Sequence, residues 1–247
     1  MTTLKTRALV LKWLPYSDHS QIVTVFTRDF GRLAVLARGA LRLAKRSAAF
    51  PAPFDHAGWY DLMFRERAGE LQLALEARLI EGFDHLRTTL GSYTESCFAL
   101  ELLDRLFSAR DPHPELLRGT LSYLKLLELR AGRPTLSVHF QSLVLRESGV
   151  LPDWLRCADC GAELVHERRV EFRVPVGPIC PACRAPKDVP VAYETLEYLA
   201  REGTIQWGYV PSLKPSSLAL ESAAWLLRSL LLYHLGAAPR SMRHVCE

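Results

Sequence analysis

From Leu4 to about Ile80 apolar and polar residues alternate with period two, interrupted by turn residues, which is the pattern of short half-buried strands. Leu4–Leu14 forms one run. Gln21–Thr27 and Arg32–Ala37 flank Arg28-Asp29-Phe30-Gly31, a hairpin turn whose glycine can take a positive φ. Phe54–Arg65 and Glu70–Leu79 flank Glu66-Arg67-Ala68-Gly69 in the same way. Five strands in eighty residues, with an irregular Pro-bounded piece from Gly39 to Pro53 between the third and fourth, predict a small closed barrel of OB or SH3 type. Closure removes the edges that so short a sheet would otherwise expose.

At Leu86 the period changes to that of a helix. Leu86–Ala109, Glu115–Ala131 and Leu136–Ser148 carry apolar residues at i, i+3 and i+4, and Leu116, Leu117, Leu121, Leu124 and Leu127 make one such stripe. Breakers stand where these helices should end: Asp111-Pro112-His113-Pro114, Gly132-Arg133-Pro134, and Gly149 followed by Pro152. Two more helical stretches, Tyr193–Arg201 and Ser216–Leu235, follow a cysteine-bearing region. The stripes read as surfaces that bury against each other. The expected class is α+β and multidomain: an OB-like barrel over 1–80, a first helical part over 81–153, a zinc-finger region over 154–190 and a C-terminal helical part over 191–247. No internal repeat is evident.

Composition narrows this picture little, since 49% hydrophobic and 23% charged over 247 residues is ordinary for a globular chain. The apolar stretch Leu218–Leu235 contains Glu221, Arg228 and His234 and does not read as a membrane span. The N-terminus lacks the apolar core of a signal peptide, so a cytoplasmic protein is expected. Charge placement says more than the net +4. Residues 1–80 hold 12 Lys and Arg against 7 Asp and Glu, whereas the remainder is close to balanced. A polyanion, if bound, belongs on the N-terminal segment.

Four of the six cysteines fall as Cys157-Ala-Asp-Cys160 and Cys180-Pro-Ala-Cys183. Two such knuckles at this separation have the spacing of a four-thiolate zinc site, because each turns two sulfurs toward one point and together they complete a tetrahedron. One structural Zn2+ is the expected cofactor. Disulfides fit poorly with a reducing cytosol. A deaminase-type site fails twice, since Ile179 precedes Cys180 where that motif has Pro, and His166, between the knuckles, is followed directly by Glu167 with no residue between them. Cys97 is expected to pack within its helix, and Cys246 has no evident partner. Nearby Arg156, Arg168, Arg169, Arg173, Arg184 and Lys187 either contact nucleic acid or offset the charge of the thiolates.

No phosphate-binding loop, dinucleotide turn, nucleophile elbow or His-Glu-x-x-His pair occurs, and no His lies four residues from another. Nothing in the residues points to an enzyme.

A basic barrel, a helical body and a late four-cysteine site together resemble the RecO family of bacterial recombination mediators. The resemblance is carried by Thr6-Arg-Ala-Leu-Val-Leu, by Leu14-Pro-Tyr-Ser-Asp-His-Ser-Gln-Ile-Val-Thr-Val-Phe-Thr-Arg-Asp-Phe-Gly31, by Ala37-Arg-Gly-Ala-Leu-Arg42 and by Pro51-Ala-Pro-Phe54, and extends over nearly the whole chain. Asp18 stands where the family often has Glu. The cysteine set is not found in every member. The resemblance implies an OB fold that binds single- and double-stranded DNA, anneals complementary strands and acts with RecR to load RecA onto DNA covered by single-strand-binding protein, in the cytoplasm and associated with the nucleoid.

On the barrel, Arg32, Arg38, Arg42, Lys45 and Arg46 are the candidate phosphate contacts; Arg32 and Arg38, six apart, share a strand face. Trp13, Tyr16, Phe26 and Phe30 are the aromatic candidates, with Phe26 alternating as a core residue does. Arg130 and Arg133, at the end of a leucine-striped helix, offer the cation beside an apolar groove that the acidic tail of single-strand-binding protein would need, or simply favour a helix C-terminus. Two other classes remain open: a protein-interaction module whose basic loop is only solvated surface, and a zinc-ribbon or OB factor for RNA.

Overall fold

In a computed structural model, which describes residues 2–42, 49–129, 134–164 and 169–241, the N-terminal alternation closes on itself as a five-stranded barrel. Its strands are β1 (Thr3–Ser17), β2 (Ser20–Thr27), β3 (Gly31–Ala37), β4 (Trp59–Arg65) and β5 (Leu71–Glu81). They neighbour one another in the order β1-β2-β3-β5-β4, and β4 pairs back to β1. All pairings are antiparallel except β3 with β5, which is the order and sense of an OB barrel. Inward side chains from every strand, among them Val10, Val23, Val35, Leu62 and Ala74, fill the interior with Phe50 and Phe54 from the connection before β4.

The strand β2 is buried along almost its whole length, more than a one-sided strand allows. Its second face is covered from outside the barrel. Phe26 is fully buried there and meets the ring of Phe107 edge-on at 6.1 Å. Phe107 caps α1 (Leu90–Leu106), which is followed by α2 (Pro114–Glu128). The first helix starts later than its apolar period suggests, because Thr89 takes the extended N-cap conformation and accepts the Ser92 N–H, leaving Asp84–Arg87 as a separate 3-10 turn. Its partner α2 buries Leu116, Leu117, Leu124 and Leu127, with Leu121 half-buried.

The chain divides into two compact units, Met1–Leu129 with Arg240–Glu247, and Arg130–Pro239. Within the second, α3 (Pro134–Glu147), α4 (Tyr193–Glu202) and α5 (Ser217–Leu235) pack together, and β6 (Arg169–Arg173), β7 (Gly177–Ile179) and β8 (Val189–Ala192) form a small sheet in the order β7-β6-β8. The strand β6 lies between the two cysteine knuckles in sequence. Trp154 stacks on Phe172 at 6.1 Å, and Val170, Ile179 and Leu164 are buried as well. Among the described residues no helix is long and apolar enough to cross a membrane.

Candidate nucleic-acid interface and metal centre

The antiparallel pairing of β1 with β2 runs out to Ser17 opposite Ser20, so only Asp18 and His19 form the tip of that hairpin. The segment after β3 folds back beneath it. Gly39 takes a φ of 79°, the Leu41 N–H donates to the His19 carbonyl at 3.1 Å, and Ala40 enters the barrel core. These three anchors leave Arg38 and Arg42 exposed on one side of a groove of about 560 Å3, whose other walls are Tyr16, Ser17, His19, Ser20 and Leu36. Tyr16 is 62% exposed and Trp13, on the same strand, 39%. Cations suited to phosphates, an exposed ring suited to a base and small hydroxyls thus meet at the hairpin tip.

The other expected residues are placed differently. Arg32 lies at the opposite end of β3, where its Nε donates to the Phe107 carbonyl at 3.1 Å and one terminal nitrogen reaches Asp104 at 3.4 Å. Lys12 shares the same Asp104 carboxylate. Phe26 is spent on Phe107, and Phe30 packs against Phe64 at 5.5 Å. Lys45 and Arg46 lie outside the described residues, as do Arg130, Arg133 and Cys246.

In the second unit the knuckles converge. The sulfurs of Cys157, Cys160, Cys180 and Cys183 all lie within 4.8 Å of one another, and those of Cys160 and Cys180 are 3.8 Å apart. A tetrahedral ion with metal–sulfur bonds of about 2.3 Å needs sulfurs roughly 3.8 Å apart, so the donor set fits a thiophilic divalent cation. The first knuckle closes through the Gly161 N–H to the Cys157 carbonyl at 2.8 Å, with Gly161 at a φ of 74°, and the second through the Cys183 N–H to the Cys180 carbonyl at 3.0 Å.

The electrostatics agree. Burial pushes the Cys157 thiol up, but the amides of Cys180, Cys160 and Asp159 outweigh it and bring it down to about 6; the Cys180 N–H lies 3.3 Å from the sulfur. Hydrogen bonding with the Cys180 and Cys160 sulfurs pushes Cys183 the other way, up to about 12. Four thiolates crowded at one point hold their last protons until a cation replaces them.

Two family models cover the chain: Recombination protein O N terminal over residues 1–83, and Recombination protein O C terminal over residues 87–243. A DNA repair protein RecO of Anaeromyxobacter sp. strain K is 30% identical, with 100% of this chain and 97% of the relative covered. That of strain Fw109-5 is 31% identical over 99% and 96%, and that of Myxococcus xanthus 28% over 97% and 96%. The chain belongs to the RecO family of DNA repair proteins. The family models divide it between residues 83 and 87, where β5 has ended and the 3-10 turn before α1 begins.

The groove at the hairpin tip is lined by three further polar side chains that the candidate set did not include, Ser17, His19 and Ser20. They lie inside the run that carries the family resemblance, and their signal was position in the first loop of an OB barrel, a usual ligand-contacting loop. Among the described residues, two of the six bases around the cysteines are bonded to carboxylates. Arg156 pairs with Glu163 at 2.8 Å and Asp153 at 3.8 Å, and Arg173 with Asp188 and Asp159; Arg184 and Lys187 are exposed. Arg168 lies outside the described residues.

Proposed function

We propose that this RecO protein is a non-catalytic recombination mediator that binds single- and double-stranded DNA along its barrel, anneals complementary strands and, with RecR, helps to load RecA onto DNA coated by single-strand-binding protein. The observation that supports the reading is the groove at the β1–β2 hairpin tip that Arg38, Arg42 and Tyr16 line together. A strand laid there sets its phosphates against the guanidinium groups and a base against the phenol ring, and neither contact reads sequence. Lys45 and Arg46 extend the basic track in sequence. Arg32, already bonded to Phe107 and Asp104, contributes less than Arg38 and Arg42.

The metal at Cys157, Cys160, Cys180 and Cys183 is one zinc ion, supported by the all-sulfur donor set and its spacing. Four protein ligands leave no open position, so the ion organises structure without activating water. The partners rest on family membership. Arg130 and Arg133 are the proposed seat for the acidic tail of single-strand-binding protein, and DNA binding associates the protein with the cytoplasmic nucleoid.

Annealing decides the central point. Purified protein should accelerate pairing of two complementary DNA strands without nucleotide, and Arg38→Ala with Arg42→Ala should slow it at least tenfold while leaving the fold intact. Failure of the wild-type protein to anneal would refute the mediator reading. Stronger binding to RNA than to DNA of equal length would favour an RNA factor instead.

A further inference from the structure

The two cysteine knuckles come from separate stretches of chain, and one side chain ties them together. Arg173 is the last residue of β6, the central strand of the β7-β6-β8 sheet. Its Nε and one terminal nitrogen each donate to an oxygen of Asp188 at 2.8 Å, a bidentate pair, and the other terminal nitrogen donates to Asp159 Oδ2 at 2.7 Å. The nitrogen shared with Asp188 also reaches the carbonyl of Cys183 at 3.2 Å. Asp159 lies inside the first knuckle, between Cys157 and Cys160, and Cys183 closes the second. Asp188, five residues on, accepts the Ala185 N–H at 2.7 Å and has a side chain only 2% exposed.

We propose that Arg173 is the positioning residue of the metal centre: its planar guanidinium clamps the first knuckle to the second and so holds the four sulfurs at ligand spacing. The proposal rests on the zinc reading given above.

The physical need is clear from the charges. Four thiolates repel one another as the ion leaves or enters, and the backbone bonds that oppose their separation are the Ala158 N–H to the Pro178 carbonyl at 2.8 Å and the Cys180 N–H to the Cys157 sulfur at 3.3 Å. A cation fixed in the sheet and fastened to a carboxylate of one knuckle and to the carbonyl and following carboxylate of the other opposes that separation. Its fork geometry matters, because bidentate bonding fixes direction as well as distance. Partners one shell beyond the ligands commonly change metal affinity by about 10–100-fold. The same contacts commit all three guanidinium nitrogens of Arg173 within the metal centre.

Transfer of zinc from the full-length protein to a chromophoric chelator tests the clamp. Arg173→Ala should release the metal about 10–100-fold faster than wild type, and Arg173→Lys should recover only part of the difference, because an ammonium cannot hold both oxygens of Asp188 in plane. Asp159→Asn, which leaves the Arg173–Asp188 pair intact, should fall between. Cobalt(II)-loaded forms of all three should keep the absorption bands of a tetrahedral four-sulfur site at saturation, so the change is one of retention and not of a lost ligand. Release from Arg173→Ala at the wild-type rate would overturn the proposal; if that variant does not fold, a wild-type rate in Asp159→Asn does so. Full recovery by Arg173→Lys would also overturn it, since charge alone would then suffice. Absence of zinc and cobalt binding in the wild-type protein would instead refute the zinc reading on which the clamp stands.

Discussion

Arg32 donates its Nε–H to the backbone carbonyl of Phe107 at 3.1 Å, joining the start of β3 to the end of α1. The bond belongs to a seam that includes the Phe26–Phe107 ring contact and the Arg110 N–H to the Arg32 carbonyl at 3.1 Å. A basic residue that looks like part of a phosphate track in the sequence is therefore a fastening between barrel and helix.

This separates two kinds of basic residue by experiment. Arg32→Ala should lower stability by about 1–2 kcal/mol, the cost of a partly buried charge-assisted hydrogen bond, measured by denaturant titration. It should change the salt dependence of DNA affinity little. Arg38→Ala and Arg42→Ala should leave stability within about 0.5 kcal/mol and each flatten the slope of log affinity against log salt by about 0.7 for single strands. If Arg38, Arg42, Lys45, Arg46 and one further base neutralise five phosphates, the wild-type slope is roughly −3.5. A triple Arg38→Ala, Arg42→Ala, Lys45→Ala protein with wild-type affinity and slope would place DNA elsewhere.

Gly31 occupies the tightest point of the same seam. Its φ is 62°, and a Cβ there would lie 2.2 Å from the Asp111 carbonyl oxygen. Backbone cannot yield as a flexible side chain can. Gly31→Ala should cost at least about 2 kcal/mol through the left-handed φ and the overlap together, and a thermal melt unchanged by it would contradict the close approach.

His56 supplies a pH dependence. Its Nε2 lies 3.4 Å from Ser96 Oγ and 3.5 Å from Cys97 Sγ, and its ring faces Tyr93 at 5.4 Å. Burial, then the charge of Arg87, lowers its pKa from 6.5 to about 4. The unfolded chain therefore takes up the proton first as pH falls. Stability is lost progressively from about pH 6.5 down to about 4, by at most about 3 kcal/mol from this group. Comparing His56→Gln with wild type should show a shallower loss over that interval; parallel curves would mean that His56 protonates freely in the fold.

Elemental analysis of protein purified without chelator should give about one zinc per chain. Since Cys183 and its neighbours must lose protons to bind, affinity should fall as pH falls, and zinc uptake in weak buffer should release protons. Cys160→Ser should lower metal content and loosen the region from about Trp154 to Pro190. The barrel, with its own core, should keep its near-ultraviolet spectrum and melting transition.

The sequence by itself determined the barrel, the helices and the convergence of four cysteines, because each depends on periodicity or short spacing that the chain carries locally. A period of two with one apolar face specifies strands around a core, and two knuckles about twenty residues apart can meet wherever the connection folds back. What the same letters did not contain was the use of individual charges and rings. Arg32 and Arg38 share the same alternation, yet one is held by a carbonyl 75 residues away and the other faces solvent. Phe26 likewise reads as one aromatic candidate among four until Phe107, at the end of α1, covers it. Arg173 reads as one of six bases near the knuckles until the fold brings Asp159 and Asp188 to either side of it. Such roles are decided by contacts between distant segments, whose free energy depends on relative position in space, and only the tertiary structure supplies that position.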